Sequence, residues 1–135
     1  DYSVVENKIM TLEEEYGVTI MQIGYDKWNA ISSVQKFDAA GYECVEIKQH
    51  SSVLHAPTKL LKEKILSKEF IYDSNRLLEI NFQNARCTED TNLNKYVNKK
   101  KSAGKVDMVV SLINAMYLLQ QYMLYGVDDF SVQTA

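Results

Sequence analysis

Apolar residues recur at near-helical spacing at Val4, Val5, Ile9, Leu12 and Tyr16, and Gly17 ends the run, so the chain opens with a helix. Val18 to Tyr25 is β-branched and apolar, with no acid or base before Asp26. Its length and glycines predict a buried strand. From Lys27 to Ala40 the spacing is helical again, with Trp28, Ile31, Val34 and Phe37 on one face and Gly41 at the end. Tyr42 to Ile47 predicts a second strand. A helix–strand–helix–strand order implies a right-handed crossover and a parallel strand pair.

The second half is more polar at its start. Lys48 to Ala56 reads as a loop, and Pro57, the only proline, suits the first turn of a helix carrying Leu60, Leu61, Ile65 and Leu66. Glu69 to Tyr72 predicts a short strand. Asn75 to Ala85 predicts a helix capped by Asn75 or Ser74. Arg86 to Val97 reads as one or two short strands, and Lys99 to Lys105 as a basic loop. Val106 to Tyr125 predicts the last helix, followed by a loose tail.

The last helix is apolar nearly all round, which marks it as buried. From Val106 to Leu119 its polar exceptions are Asp107, Ser111 and Asn114, which are spaced i, i+4, i+7 and share one face. Solvent would account for that stripe, and so would a site. Asp107 suits the positive end of a helix dipole, and Asp26 suits a cap for a helix at Lys27. Both acids also lie where an apolar segment gives way to a helix, and carboxylates that converge from such ends hold divalent metal. Spacing alone does not choose between these readings.

Composition narrows the class. With 135 residues, 46% hydrophobic and 24% charged, the sequence has the make-up of one folded domain. A formal charge of −3 does not advertise nucleic-acid binding, but Lys95, Lys99, Lys100, Lys101 and Lys105 crowd one stretch. Cys44 and Cys87, with no CxxC spacing, suit a reducing setting. With His50 and His55 they fit no common zinc pattern. The two histidines read as loop residues, near a substrate groove or simply exposed. No Ser/His/Asp order stands out. Tyr117, Tyr122 and Tyr125 read as packing groups. No signal peptide or membrane span is expected. The start at Asp1 rather than Met predicts a piece of a longer chain.

Several motifs, in order, carry a resemblance. Ile23-Gly24-Tyr25-Asp26-Lys27-Trp28-Asn29-Ala30 is an apolar strand followed by Tyr-Asp-Lys-Trp. Ala56-Pro57-Thr58-Lys59-Leu60-Leu61, Asn75-Arg76-Leu77-Leu78 with Asn84-Ala85, and Lys99-Lys100-Lys101-Ser102 with Lys105-Val106-Asp107 to Ala115 follow. This set, from about Val18 to Leu119, resembles the C-terminal nuclease domain of the large terminase subunit of tailed double-stranded-DNA bacteriophages. The resemblance implies an α/β ribonuclease-H-like nuclease fold. It implies an endonuclease that cuts concatemeric phage DNA with two Mg²⁺ or Mn²⁺ ions, one activating water and one stabilising the leaving 3′ oxygen. Asp26 and Asp107 match the family's acids at the central strand end and the last helix start, as catalytic and metal-binding residues. The loop Lys99, Lys100, Lys101 and Lys105 is the DNA-contact candidate.

The resemblance also has gaps. The family's first acid lies on the first strand of its sheet and has no counterpart here, so the first strands are expected to be absent and the fold truncated at its N-terminus. There is no glycine-rich phosphate loop for an ATPase motor. The expectation is a partial nuclease domain over 1–135, with a core over 1–125 and a loose tail over 126–135. Alone it should bind metal weakly and be inactive or weak. Implied partners are double-stranded DNA and, in the parent system, the terminase ATPase domain, the small terminase subunit and the portal, in the cytoplasm of an infected or lysogenic bacterial host. Asp26 and Asp107 should lie side by side. An uncovered edge at Val18–Tyr25 should favour self-association. The rivals are another ribonuclease-H-like nuclease, such as a resolvase or integrase, and a non-catalytic module that docks on a portal or subunit.

Overall fold

The structure, a computed structural model, describes residues 1–27 and 30–134, with side chains through residue 126. It divides into two compact units, Asp1–Lys48 and Gln49–Ala135. Among the described residues no helix is long and apolar enough to cross a membrane.

The first unit runs α1 (Tyr2–Tyr16), β1 (Ile23–Tyr25), α2 (Ile31–Ala39) and β2 (Cys44–Glu46). Asp1 caps α1 by accepting the Ser3 N–H at 3.0 Å, and Gly17 ends it with a left-handed φ of 64°. The expected parallel pair is present, with Ile23 opposite Cys44 and Tyr25 opposite Glu46. β1 is much shorter than the apolar run. The Ile20 N–H donates to the Glu13 carboxylate of α1 at 3.0 Å, so this part of the backbone is bonded to a helix side chain rather than to a strand. Val18 and Met21 are exposed. α2 starts at Ile31, not Lys27, with Ala30 as a cap lacking a side-chain bond; Asp26 therefore does not cap it. The Trp28 expected on its apolar face lies outside the described residues. Phe37 and Ile47 are buried, and Phe37 meets Tyr42 edge-on at 6.3 Å.

The second unit runs α3 (Ser51–Leu66), α4 (Arg76–Asn84), the antiparallel hairpin β3 (Cys87–Glu89) and β4 (Lys95–Val97), and α5 (Asp107–Thr134). Leu61, Val109, Ile113 and Met116 form its buried centre, the meeting of α3 and α5, with Leu54, Phe70, Phe82 and Val97 packed against it. Pro57 does not open a helix. α3 begins six residues earlier and carries the fully buried proline inside it. Its missing N–H costs one helical bond, and complete burial of the ring offsets that loss. The strand expected at Glu69–Tyr72 does not form. The N–H groups of Glu69 and Phe70 both donate to the Lys64 carbonyl, capping α3. Asn75 caps α4, its side chain accepting the Leu78 N–H at 3.0 Å. α5 continues past the expected tail boundary to Thr134, broken at Gly126 with φ 68°. Tyr122 and Tyr125 are exposed rather than packed.

Asp90 ties the hairpin turn to α3. Its carboxylate accepts the Ser51 hydroxyl at 2.6 Å and the N–H groups of Asn92 and Asn94. Those bonds, the Ser51 hydroxyl first, pull its pKa from the usual carboxylate range down to about 2. A depressed folded-state pKa gives stability that is present above the unfolded value and lost as pH falls through the folded one. Melting measured from neutral pH downward should therefore show an Asp90→Asn variant closing its deficit to wild type between pH 3.8 and about 2. A deficit constant across that window would contradict this role.

Candidate functional site

Asp26 stands directly beyond β1, at the carboxyl end of the parallel pair. The Ile47 N–H donates to the Tyr25 carbonyl at 2.8 Å, and this bond fixes the backbone just before it. Ligands of open α/β sheets bind at that end of the strands. The residue is half-buried, and its carboxylate has no hydrogen bond or ion pair among the described residues. The neighbouring acid of the pair, Glu46, sits opposite Tyr25, one register position earlier.

Asp107 is the exposed first residue of α5. Two asparagines of α4 set its position. Asn81 is buried; its amide donates to the Leu77 carbonyl at 2.9 Å and its carbonyl accepts the Met108 N–H at 3.1 Å, satisfying one of the open donors of α5. Asn84 donates to the Lys105 carbonyl at 3.0 Å, and the Ala103 N–H donates back to the Asn84 carbonyl. A Cβ at Gly104 would meet the Asn84 amide nitrogen at 2.8 Å, so a larger residue there would push aside the side chain that bonds the Lys105 carbonyl. Ser111 lies on the expected face and is exposed, while Asn114 is half-buried and accepts a bond from the Gln49 side chain at 3.0 Å.

Asn98 orders the basic loop. Its side chain accepts the N–H groups of Lys100 and Lys101, its carbonyl accepts the Ser102 hydroxyl, and the same hydroxyl accepts the Arg86 N–H. This turn presents Lys99, Lys100 and Lys101 exposed, and Lys105, also exposed, follows where Asn84 holds its carbonyl. The roles of Asn81, Asn84 and Asn98 are not apparent from the sequence. The one signal is Asn81, a polar residue three positions after Leu78 on the apolar face of α4. His55, expected in a loop, lies on α3, where its Nδ1 accepts the Lys95 N–H at 2.8 Å.

Asp26 and Asp107 belong to different compact units, Asp26 to the first and Asp107 to the second. Their hard oxygens suit Mg²⁺ or Mn²⁺ in type. Among the described residues, however, no three His, Cys, Asp or Glu side chains come together to hold one ion. Two carboxylates by themselves do not make up a two-metal centre.

The chain resembles two solved proteins in fold. It matches the large terminase of bacteriophage HK97 with a TM-score of 0.75 and 21% identity, covering 87% of this chain and 25% of that one. It matches the large terminase nuclease of thermophilic phage G20c with a TM-score of 0.64 and 19% identity, covering 85% of this chain and 61% of that one. The chain thus spans a quarter of the length of the HK97 protein. No curated protein matches it by sequence. The mixed helices and small sheets agree with the α/β, ribonuclease-H-like architecture of terminase nucleases. The family model described as terminase large subunit, endonuclease domain, matches residues 1–122, which favours that reading over a resolvase or integrase. By that match, the chain belongs to the endonuclease-domain family of the terminase large subunit.

Proposed function

We propose that this chain is part of a metal-dependent endonuclease that cuts concatemeric phage DNA during packaging. The observation that carries the reading is the family match across residues 1–122. Asp26 and Asp107 are its catalytic carboxylates and ligands for Mg²⁺ or Mn²⁺, and the rest of the ligand set comes from outside this chain. Two carboxylates leave most of the hydration shell of Mg²⁺ in place, so the chain by itself binds metal weakly and cuts DNA weakly or not at all. In the parent protein the domain works with an ATPase domain, the small subunit and the portal.

The loop of Lys99, Lys100, Lys101 and Lys105 holds the DNA backbone. Lysine ammonium groups bind phosphates as point charges, giving sequence-independent affinity that falls steeply with salt. Anisotropy of a labelled duplex tests this. Replacing the four lysines by Gln should weaken binding equally for unrelated sequences and lower the salt slope by about one for each phosphate left without its lysine. An unchanged slope would remove the loop from the DNA interface.

A further inference from the structure

We propose that the cleft between α3 and the β3–β4 hairpin is a second seat for the DNA backbone, where Lys59, Lys62 and Lys95 contact phosphates beyond those held by the basic loop. The inference rests on the reading of the chain as a DNA-cutting domain and extends its substrate track. The cleft is a cavity of about 600 Å³ within the second unit, walled by one face of α3 and by the hairpin. Lys59 and Lys62, spaced i, i+3 on α3, are exposed and make no ion pair among the described residues. Cations without partners on one wall of a cleft are free to take phosphate oxygens.

The opposite wall supplies Lys95. Its ion pair with Glu89 is long, at 3.8 Å, between side chains 65% and 41% exposed. Such pairs contribute little and yield readily to a phosphate. Glu89 and Glu63 are the acids of the lining, outnumbered by the three lysines. His55 adds a neutral donor. Its Nδ1 accepts the Lys95 N–H, so the neutral ring carries its proton on Nε2. The Thr88 hydroxyl is a further donor in the lining.

Continuity with the loop favours DNA over other anions. Lys95 is the first residue of β4, and Lys99 follows it four positions later. β4 ends at Val97 and Lys99 lies in the turn beyond it, so the two lysines are separated by no more than about 14 Å, the reach of four extended residues and a span of only a few nucleotides along one strand. One sugar–phosphate strand can therefore meet the loop and the cleft together.

The test is duplex binding by Lys59→Gln/Lys62→Gln/Lys95→Gln, with Lys68→Gln, outside the cleft lining, as control. Affinity should fall by about 10- to 100-fold at low salt and the salt slope by about two to three, while the control binds like wild type. Lysine acetylation of the wild-type chain, read by mass spectrometry, needs no variant to fold. Duplex DNA should protect Lys59, Lys62 and Lys95 and leave Lys68 reactive. Wild-type affinity in the triple variant, with binding lost only in the four-lysine loop variant, would overturn the cleft proposal and leave the endonuclease reading standing. Absence of duplex binding by the wild-type chain would overturn the cleft proposal together with the DNA role of the basic loop. Protection of the three lysines by polyglutamate but not by duplex would assign the cleft to an acidic peptide instead.

Discussion

Asp26→Asn and Asp107→Asn are each expected to abolish metal-dependent DNA cleavage in the protein that carries the complete ligand set. Each change keeps the shape of the side chain and removes the charge that, in the proposed site, would hold a divalent ion. Loss of a single uncharged electrostatic contact in an active site costs about 10² to 10³ in rate, and loss of a charged metal ligand should cost at least about a thousandfold. Folding should be spared. Asp107 is exposed, and neither carboxylate takes part in a hydrogen bond or ion pair among the described residues. Plasmid nicking in Mn²⁺, alongside a melting curve, separates the two effects. A variant with wild-type melting and cleavage within about tenfold of wild type would show that its acid is not a ligand.

Leu61→Ala should give the largest loss of stability. Leu61 is 3% exposed at the centre of the α3–α5 core, against Val109, Ile113 and Met116. Truncation there removes transfer energy and leaves a cavity, at a cost of about 2–5 kcal/mol. That is a large share of a typical domain stability of about 5–15 kcal/mol. The corresponding fall in melting temperature is about 8 °C or more for a unit of this size. Leu61→Met, which conserves volume, should cost less than about 1.5 kcal/mol. If both variants melt alike, the packing assigned to this position is wrong.

Much of the fold was legible where a local signal decided it. Gly17 and Asn75 mark helix ends through backbone chemistry that no distant contact needs to supply, and both helix ends fell there. The parallel pair followed from the order of elements. The hairpin in Arg86–Val97 was expected as strand, and its turn is set by Asp90, visible only once its bonds to Asn92, Asn94 and Ser51 are seen. Boundaries failed where tertiary partners won. Glu13 takes the Ile20 N–H from the first strand, the Lys64 carbonyl takes the N–H groups of Glu69 and Phe70, and burial places Pro57 inside a helix rather than at its start.

The site shows the same division. The positions of Asp26 and Asp107, just past a strand end and at a helix start, were legible because motifs surround them. Asn81, Asn84 and Gly104, which hold the start of α5, were not, because their roles come from contacts between α4 and the segment before α5. The shared face of Asp107, Ser111 and Asn114 was read from spacing, but the bond from Gln49 to Asn114 was not. Side-chain amides that brace a neighbouring segment leave no periodic trace in a sequence.

Titration of the chain with Mn²⁺, followed by the electron paramagnetic resonance of the free ion, tests the central claim most directly. It reads metal binding without requiring cleavage. The account predicts weak binding by the wild-type chain, reduced to background by Asp26→Asn and equally by Asp107→Asn, with Glu46→Gln unchanged. Mn²⁺ binding that survives both aspartate substitutions would contradict it.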